Sequence, residues 1–127
     1  MKFAKTIVYV EDAEASLKLF EQAFGFKATY YGNGYGEVET GGDSKISFAN
    51  YGVGQSHLPE GYVVGASDRV GFELSLVSET VEEDFKRAVA AGAEALKEPE
   101  QTPWGQVSSY LRLPDGIIVD LASPAGA

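Results

Sequence analysis

The chain has 127 residues, 44% apolar and 12% aromatic, and 19 acidic against 10 basic side chains give a formal net charge of −9. That length and apolar content predict one folded domain with a sizeable core and exclude a disordered chain. The charge argues against nucleic acid and anionic membrane surfaces, whose binders present a basic face, and it fits a soluble protein and a cationic ligand.

Phe3 to Val10 mixes apolar and β-branched residues and reads as a strand. Asp12 is a good N-cap for a helix that buries Leu17, Phe20 and Phe24 and closes at Gly25. Three short strands follow over Phe26–Tyr31, Tyr35–Thr40 and Lys45–Asn50, separated by Gly32-Asn33-Gly34 and Gly41-Gly42-Asp43. Residues 51–68 form the least regular stretch and read as a long connection. The pattern then restarts. Val70–Val77 reads as a strand, and a helix from Glu79 or Thr80 buries Val81, Phe85, Ala88 and Val89 and ends at Gly92. Ala93–Lys97, Gln106–Arg112 and Ile117–Leu121 supply three more strands, with Pro114-Asp115-Gly116 turning into the last.

The two halves superpose at an offset of about 68 residues, a duplicated supersecondary unit. Ala13, Leu17, Phe20 and Phe24 fall on Val81, Phe85, Ala88 and Gly92. The expected architecture is α+β: two tandem βαβββ modules forming a curved, cup-shaped mixed sheet with helices on the outer face. Module one covers about 1–52, the connecting loop about 53–68 and module two about 69–127, all within a single domain.

The chain contains no cysteine, and its one histidine is His57. Thiolate chemistry, disulfides and two-histidine metal sites within one chain are therefore excluded. A Ser–His–Asp triad would have to pass through His57. No window approaches the ~20 apolar residues of a membrane span and no signal-peptide core follows the N-terminus, so a cytoplasmic location is expected.

This pattern resembles the vicinal oxygen chelate superfamily of glyoxalase I, bleomycin-resistance proteins and extradiol dioxygenases. The residues that carry the resemblance are Val8-Tyr9-Val10-Glu11-Asp12 with Ser16, Phe20 and Gly25-Phe26, then Pro103-Trp104-Gly105-Gln106, Arg112-Leu113-Pro114-Asp115-Gly116 and Val119-Asp120-Leu121. It covers nearly the whole chain and is specific for a fold, which in this superfamily hosts many functions. The family's metal enzymes place one ligand on each of four strands; the resemblance puts Lys5, Ser47, Glu73 and Asp120 at these positions. Aligning by the helix start would place Phe72 there instead of Glu73, but Glu73 leaves Leu74 and Leu76 on the buried face. A protonated lysine has no lone pair and a neutral serine is a poor ligand, so no metal or other cofactor is expected. Lys5 would stand in for the metal's charge, in an ion pair with Glu73 or Asp120. The alternative is a divalent metal held by Glu73, Asp120 and water.

Seven tyrosines offer flat faces and hydroxyls, and strand propensity explains part of their number. Tyr9 and Tyr110 are the preferred ligand-facing pair, with Tyr35 and Tyr51 as further candidates. Trp104 forms either an aromatic wall like that of the bleomycin-resistance branch or a packing contact at the sheet rim. His57 is either an exposed loop residue or a ligand contact from a loop that folds over the site. Glu37 and Glu39 share one strand face, solvated or functional. Glu82, Glu83 and Asp84 suit a helix N-terminus. Gly32-Asn33-Gly34-Tyr35-Gly36 precedes a strand and so lacks the helix end of a phosphate loop.

Two functions follow. The first is a non-catalytic protein of the antibiotic-resistance type, sequestering an aromatic natural product or antibiotic, cationic ones included, in the sheet cup, as a homodimer whose pockets are shared between chains. The second is a glyoxalase-like lyase, isomerase or dioxygenase using Glu73, Asp120 or His57.

Overall fold

The structure is a computed structural model that describes residues 2–125. It is an α+β fold of two compact units that meet in sequence at Ala66 and Ser67. Each unit holds a four-stranded mixed sheet and a longer helix, as the duplicated pattern predicts.

In the first unit, β1 (Lys5–Val10) leads into α1 (Ala13–Phe24), followed by β2 (Lys27–Gly32), β3 (Tyr35–Glu39) and β4 (Lys45–Asn50). The sheet order is β1-β4-β3-β2, with β1 parallel to β4 and the other pairs antiparallel. The predicted caps hold α1: the Asp12 carboxylate accepts from the Ala15 N–H, and left-handed Gly25 donates to the Glu21 carbonyl. The α1 face bearing Ala13, Leu17, Phe20 and Ala23 is buried, as are Val8, Val10, Val38, Ile46 and Phe48 of the sheet. β2 and β3 are joined by Asn33-Gly34, both at positive φ, the two-residue turn whose twist matches a hairpin.

Asn50, which the sequence does not single out, ties the two ends of this module together. Its Oδ1 accepts from the N–H of fully buried Ala13 at 2.7 Å, and its side chain lies where a Cβ on Gly34 would project. Asn50→Ala strands a buried donor and is expected to lower stability by about 1–2 kcal/mol in urea unfolding. An unchanged midpoint would mean that this bond adds nothing.

The stretch expected to be irregular begins instead with a second helix, α2 (Tyr51–His57). Two glycines in seven residues give it poor intrinsic propensity. Tertiary contact decides the outcome: a Cβ on Gly54 would lie 2.6 Å from the Tyr9 ring, so only glycine lets α2 approach it. Gln55 then fixes the following chain, donating to the Tyr62 carbonyl and accepting from Val64 N–H.

The second unit repeats the plan with β5 (Glu73–Val77), α3 (Val81–Ala90), β6 (Glu94–Gln101), β7 (Val107–Arg112) and β8 (Ile118–Ala122), in the order β5-β8-β7-β6. β5 starts three residues later than expected, and β6 runs four residues further, with two register irregularities. Val81, Phe85 and Ala88 of α3 are buried, as are Leu74, Leu111, Val119 and Leu121. Glu82, Glu83 and Asp84 occupy the first turn of α3, where the helix dipole favours acids.

Candidate functional site

Strand register places most of the candidates of module one on a single surface, the sheet face turned away from α1. Three rows cross it. The first is Lys5, Lys45, Glu39 and Lys27; the second is Ile7, Ser47, Glu37 and Thr29. The third begins with Tyr9, Ala49 and Tyr35, and Tyr31 joins it at the register irregularity in β2, its ring stacked on Tyr35 with centroids 6.2 Å apart.

A chain of hydrogen bonds runs through the middle of this face. Lys5 Nζ donates to the Tyr35 hydroxyl at 2.6 Å, and that hydroxyl donates to Ser47 Oγ at 3.0 Å. Ser47 is fully buried, so Tyr35 supplies the partner that a buried hydroxyl needs. Lys5 Nζ also lies 3.6 Å from Glu37 Oε2 and 5.2 Å from the Tyr35 ring centroid. Lys5 thus has a carboxylate partner on its own module, where the sequence suggested Glu73 or Asp120. Glu37 is largely covered, whereas Glu39 is exposed.

Partial burial pushes the Glu37 carboxyl up, but the Tyr31 hydroxyl, Lys45 and Lys5 outweigh it and hold the group below its ordinary 4.5. The Lys5 ammonium is favoured in turn, first by the Tyr35 hydroxyl and also by Glu37, against some desolvation. A depressed carboxyl stabilises the fold fully above its unfolded pKa and loses that contribution as pH falls through the folded value. The stability gap between the native chain and Glu37→Gln is therefore expected to be constant from pH 7 to about 5 and to close below about 4.5. Urea midpoints from pH 7 to 3 measure it, and a gap independent of pH would contradict the arrangement.

In module two, Glu73 and Asp120 lie on the neighbouring strands β5 and β8, on the sheet face away from α3, with Tyr110 opposite Asp120 on β7. Ser75 Oγ donates to Asp120 Oδ2 at 3.1 Å. The charge of Asp120, with Glu73 and partial burial adding to it, raises the Tyr110 phenol above its usual range and keeps it protonated. Glu73 pairs in register with Ile118 while Leu74 turns to the core, as the alternation argument requires; Phe72 precedes the strand and is half exposed.

The remaining candidates stand apart from these clusters. Trp104 is 69% exposed in the turn before β7, and its indole N–H donates to Gln106 Oε1. His57 is an exposed residue in the last turn of α2, and Tyr51 opens that helix. A groove of about 510 Å³ opens between α3 and β6, lined by Phe85, Lys86, Val89 and Pro99 among others, and no candidate residue borders it.

Two of the four positions that the resemblance assigns to metal ligands carry groups unsuited to a divalent ion. Lys5 presents an ammonium and Ser47 a buried hydroxyl already bonded to Tyr35, leaving two carboxylates. Among the described residues, no three His, Asp or Glu side chains gather as ligands. Tyr31 and Lys45 join the site with nothing in the sequence to single them out: each stands at the end of an expected strand, and Tyr31 is one of seven tyrosines.

The family model of the Glyoxalase/Bleomycin resistance protein/Dioxygenase superfamily matches residues 2–121. Among solved structures, a glyoxalase-related enzyme from Fulvimarina pelagi is 21% identical with a TM-score of 0.79, covering 100% of this chain and 96% of that one. TioX from Micromonospora sp. ML1 is 18% identical with a TM-score of 0.72, covering 97% and 98%. A glyoxalase/bleomycin resistance protein/dioxygenase family enzyme from Burkholderia phytofirmans PsJN is 20% identical with a TM-score of 0.71, covering 94% and 95%. These likenesses speak for the fold. No curated protein sequence matches the chain. With the family model spanning nearly its whole length, the chain belongs to the Glyoxalase/Bleomycin resistance protein/Dioxygenase superfamily.

Proposed function

We propose that this protein is a non-catalytic binder that sequesters an aromatic small molecule on the module-one sheet face. The observation that carries the reading is the exposed aromatic row: Tyr9 is 40% and Tyr31 59% exposed, with Ile7 beside them at 47%. Exposed tyrosine rings, with Tyr35 anchored by the Lys5–Tyr35–Ser47 hydrogen-bond chain, can stack a planar ring with little side-chain ordering cost. The ion pair of Lys5 with Glu37 and the Lys5–Tyr35 hydrogen bond hold the side chains beside this surface in place.

The test is equilibrium dialysis of the full chain against a panel of aromatic natural products and glutathione hemithioacetals, with and without divalent metal. Saturable, metal-independent binding is expected, with the ligand recovered unchanged and affinity falling about tenfold or less in Tyr31→Ala. A ligand recovered as product would instead favour chemistry at Glu73, Asp120 or His57.

A homodimer with pockets shared between chains is part of the same proposal. Its support is apolar surface on and beside the edge strand β5: Val70 is 67%, Phe72 49% and Val77 69% exposed. Light scattering at micromolar concentration should give twice the chain mass; a monomer would refute this part.

A further inference from the structure

We infer that the ligand of the module-one face is an aromatic anion, with its carboxylate attached directly to the ring system. The inference rests on the binding reading above and reverses the preference for cations suggested by the net charge of −9. The whole chain is acidic, but this face is not: it carries Lys5, Lys45 and Lys27 against Glu37 and Glu39, one cation in excess. Lys5 and Lys45 stand directly opposite each other on neighbouring strands, where like charges repel. Glu37 feels both of them and bonds to Lys5, and Glu39 stands between Lys45 and Lys27 in the first row, so two carboxylates serve three ammonium groups. A ligand anion between them would supply the missing negative charge.

The same geometry sets the shape of that ligand. Rows on a strand face are two residues, about 6.6 Å, apart, so the charged and aromatic rows would lie about 13 Å from each other. The Lys5 side chain closes this gap, bringing Nζ to the Tyr35 hydroxyl, 5.2 Å from its ring centroid. The cation therefore stands beside the stacking surface, and a ring stacked on Tyr31 and Tyr35 needs no spacer before its carboxylate. The Tyr31 hydroxyl is held on Glu37, which orients that stacking face next to the lysines.

Three isosteric probes separate the possibilities: 2-naphthoate, 2-naphthamide and 2-naphthylmethylammonium, titrated by calorimetry into the full chain at low salt. The expected order is naphthoate tightest, by roughly five- to tenfold over the amide, with the ammonium weakest. Lys45→Gln should bring the naphthoate-to-naphthamide ratio close to one, and 0.5 M salt should shrink it in the native chain. Tyr31→Ala should weaken all the probes that bind. If the amide or the ammonium binds as tightly as naphthoate and remains sensitive to Tyr31→Ala, the inference is overturned while the aromatic binding face stands. If none of the three binds, the binding face itself is refuted and the inference with it. A naphthoate preference that survives Lys45→Gln would likewise overturn it, and circular dichroism of each variant confirms that the comparison is between folded proteins.

Discussion

Phe20→Ala is expected to lower the stability of module one by about 3–5 kcal/mol. Phe20 is 1% exposed, and its ring packs against Phe48 at 4.9 Å and Phe24 at 5.3 Å between centroids. Removing it empties a ring-sized volume between α1 and β4 and takes away the ring on which both Phe24 and Phe48 pack. Phe20→Leu keeps most of that volume and should cost much less. Far-UV circular dichroism in urea is the suitable probe, because the single tryptophan, Trp104, reports on the other unit. A loss below about 1 kcal/mol would show that the module relaxes around the cavity. Phe48 alternates on β4 with Ser47 and Ala49, which belong to the opposite face. The substitution should therefore lower the midpoint without abolishing aromatic binding at temperatures where the chain remains folded.

The fold was legible because its signals are local and repeated. Asp12 and Gly25 bracket α1, an apolar residue recurs every three or four positions within it, and the second half repeats the spacing with Val81, Phe85 and Ala88. Helix α2 was not legible, since its glycines argue against a helix and the need for one of them, Gly54, comes from the Tyr9 ring of another strand. The late start of β5 belongs to the same class: Val70 and Phe72 have strand-like chemistry but lie outside the ladder with β8. Propensity reports what a residue tolerates, whereas a ladder requires a partner.

The site was legible by parity and illegible in its pairings. Lys5, Tyr9, Glu37 and Ser47 could be placed on strand faces by counting alternate residues. Which strands adjoin, and in what register, decides that Lys5 meets Glu37 and Tyr35, and no count along one strand contains that information. Tyr31 shows the limit most clearly: it enters the aromatic row where β2 slips against β3, between Tyr30 and Gly32. Net charge says nothing of a single face for a related reason: it sums both units and all surfaces, whereas the rows of this face carry Lys5, Lys45 and Lys27 against Glu37 and Glu39.

Gly36→Ala is expected to cost about 3 kcal/mol and to weaken aromatic binding as well, although the glycine lies on the side of the sheet opposite the tyrosine row. Its backbone is not left-handed; the constraint is space. A Cβ there would stand 2.2 Å from Leu17 Cδ1, 2.6 Å from the Thr29 carbonyl oxygen and 3.1 Å from the Tyr30 Cα. The leucine methyl can swing away, but the Thr29 oxygen and Tyr30 Cα belong to the backbone of β2, which would have to move relative to β3. That movement would pull Tyr31 off Tyr35 and off Glu37, which links a packing change on one face to binding on the other. Measuring Gly36→Ala in a Leu17→Ala background separates the two contributions. Relief of the side-chain clash should reduce the cost of Gly36→Ala without abolishing it, because the backbone contact persists. If the substitution becomes free in that background, Leu17 alone sets the constraint, and the argument that β2 is held at its present distance by a missing Cβ fails.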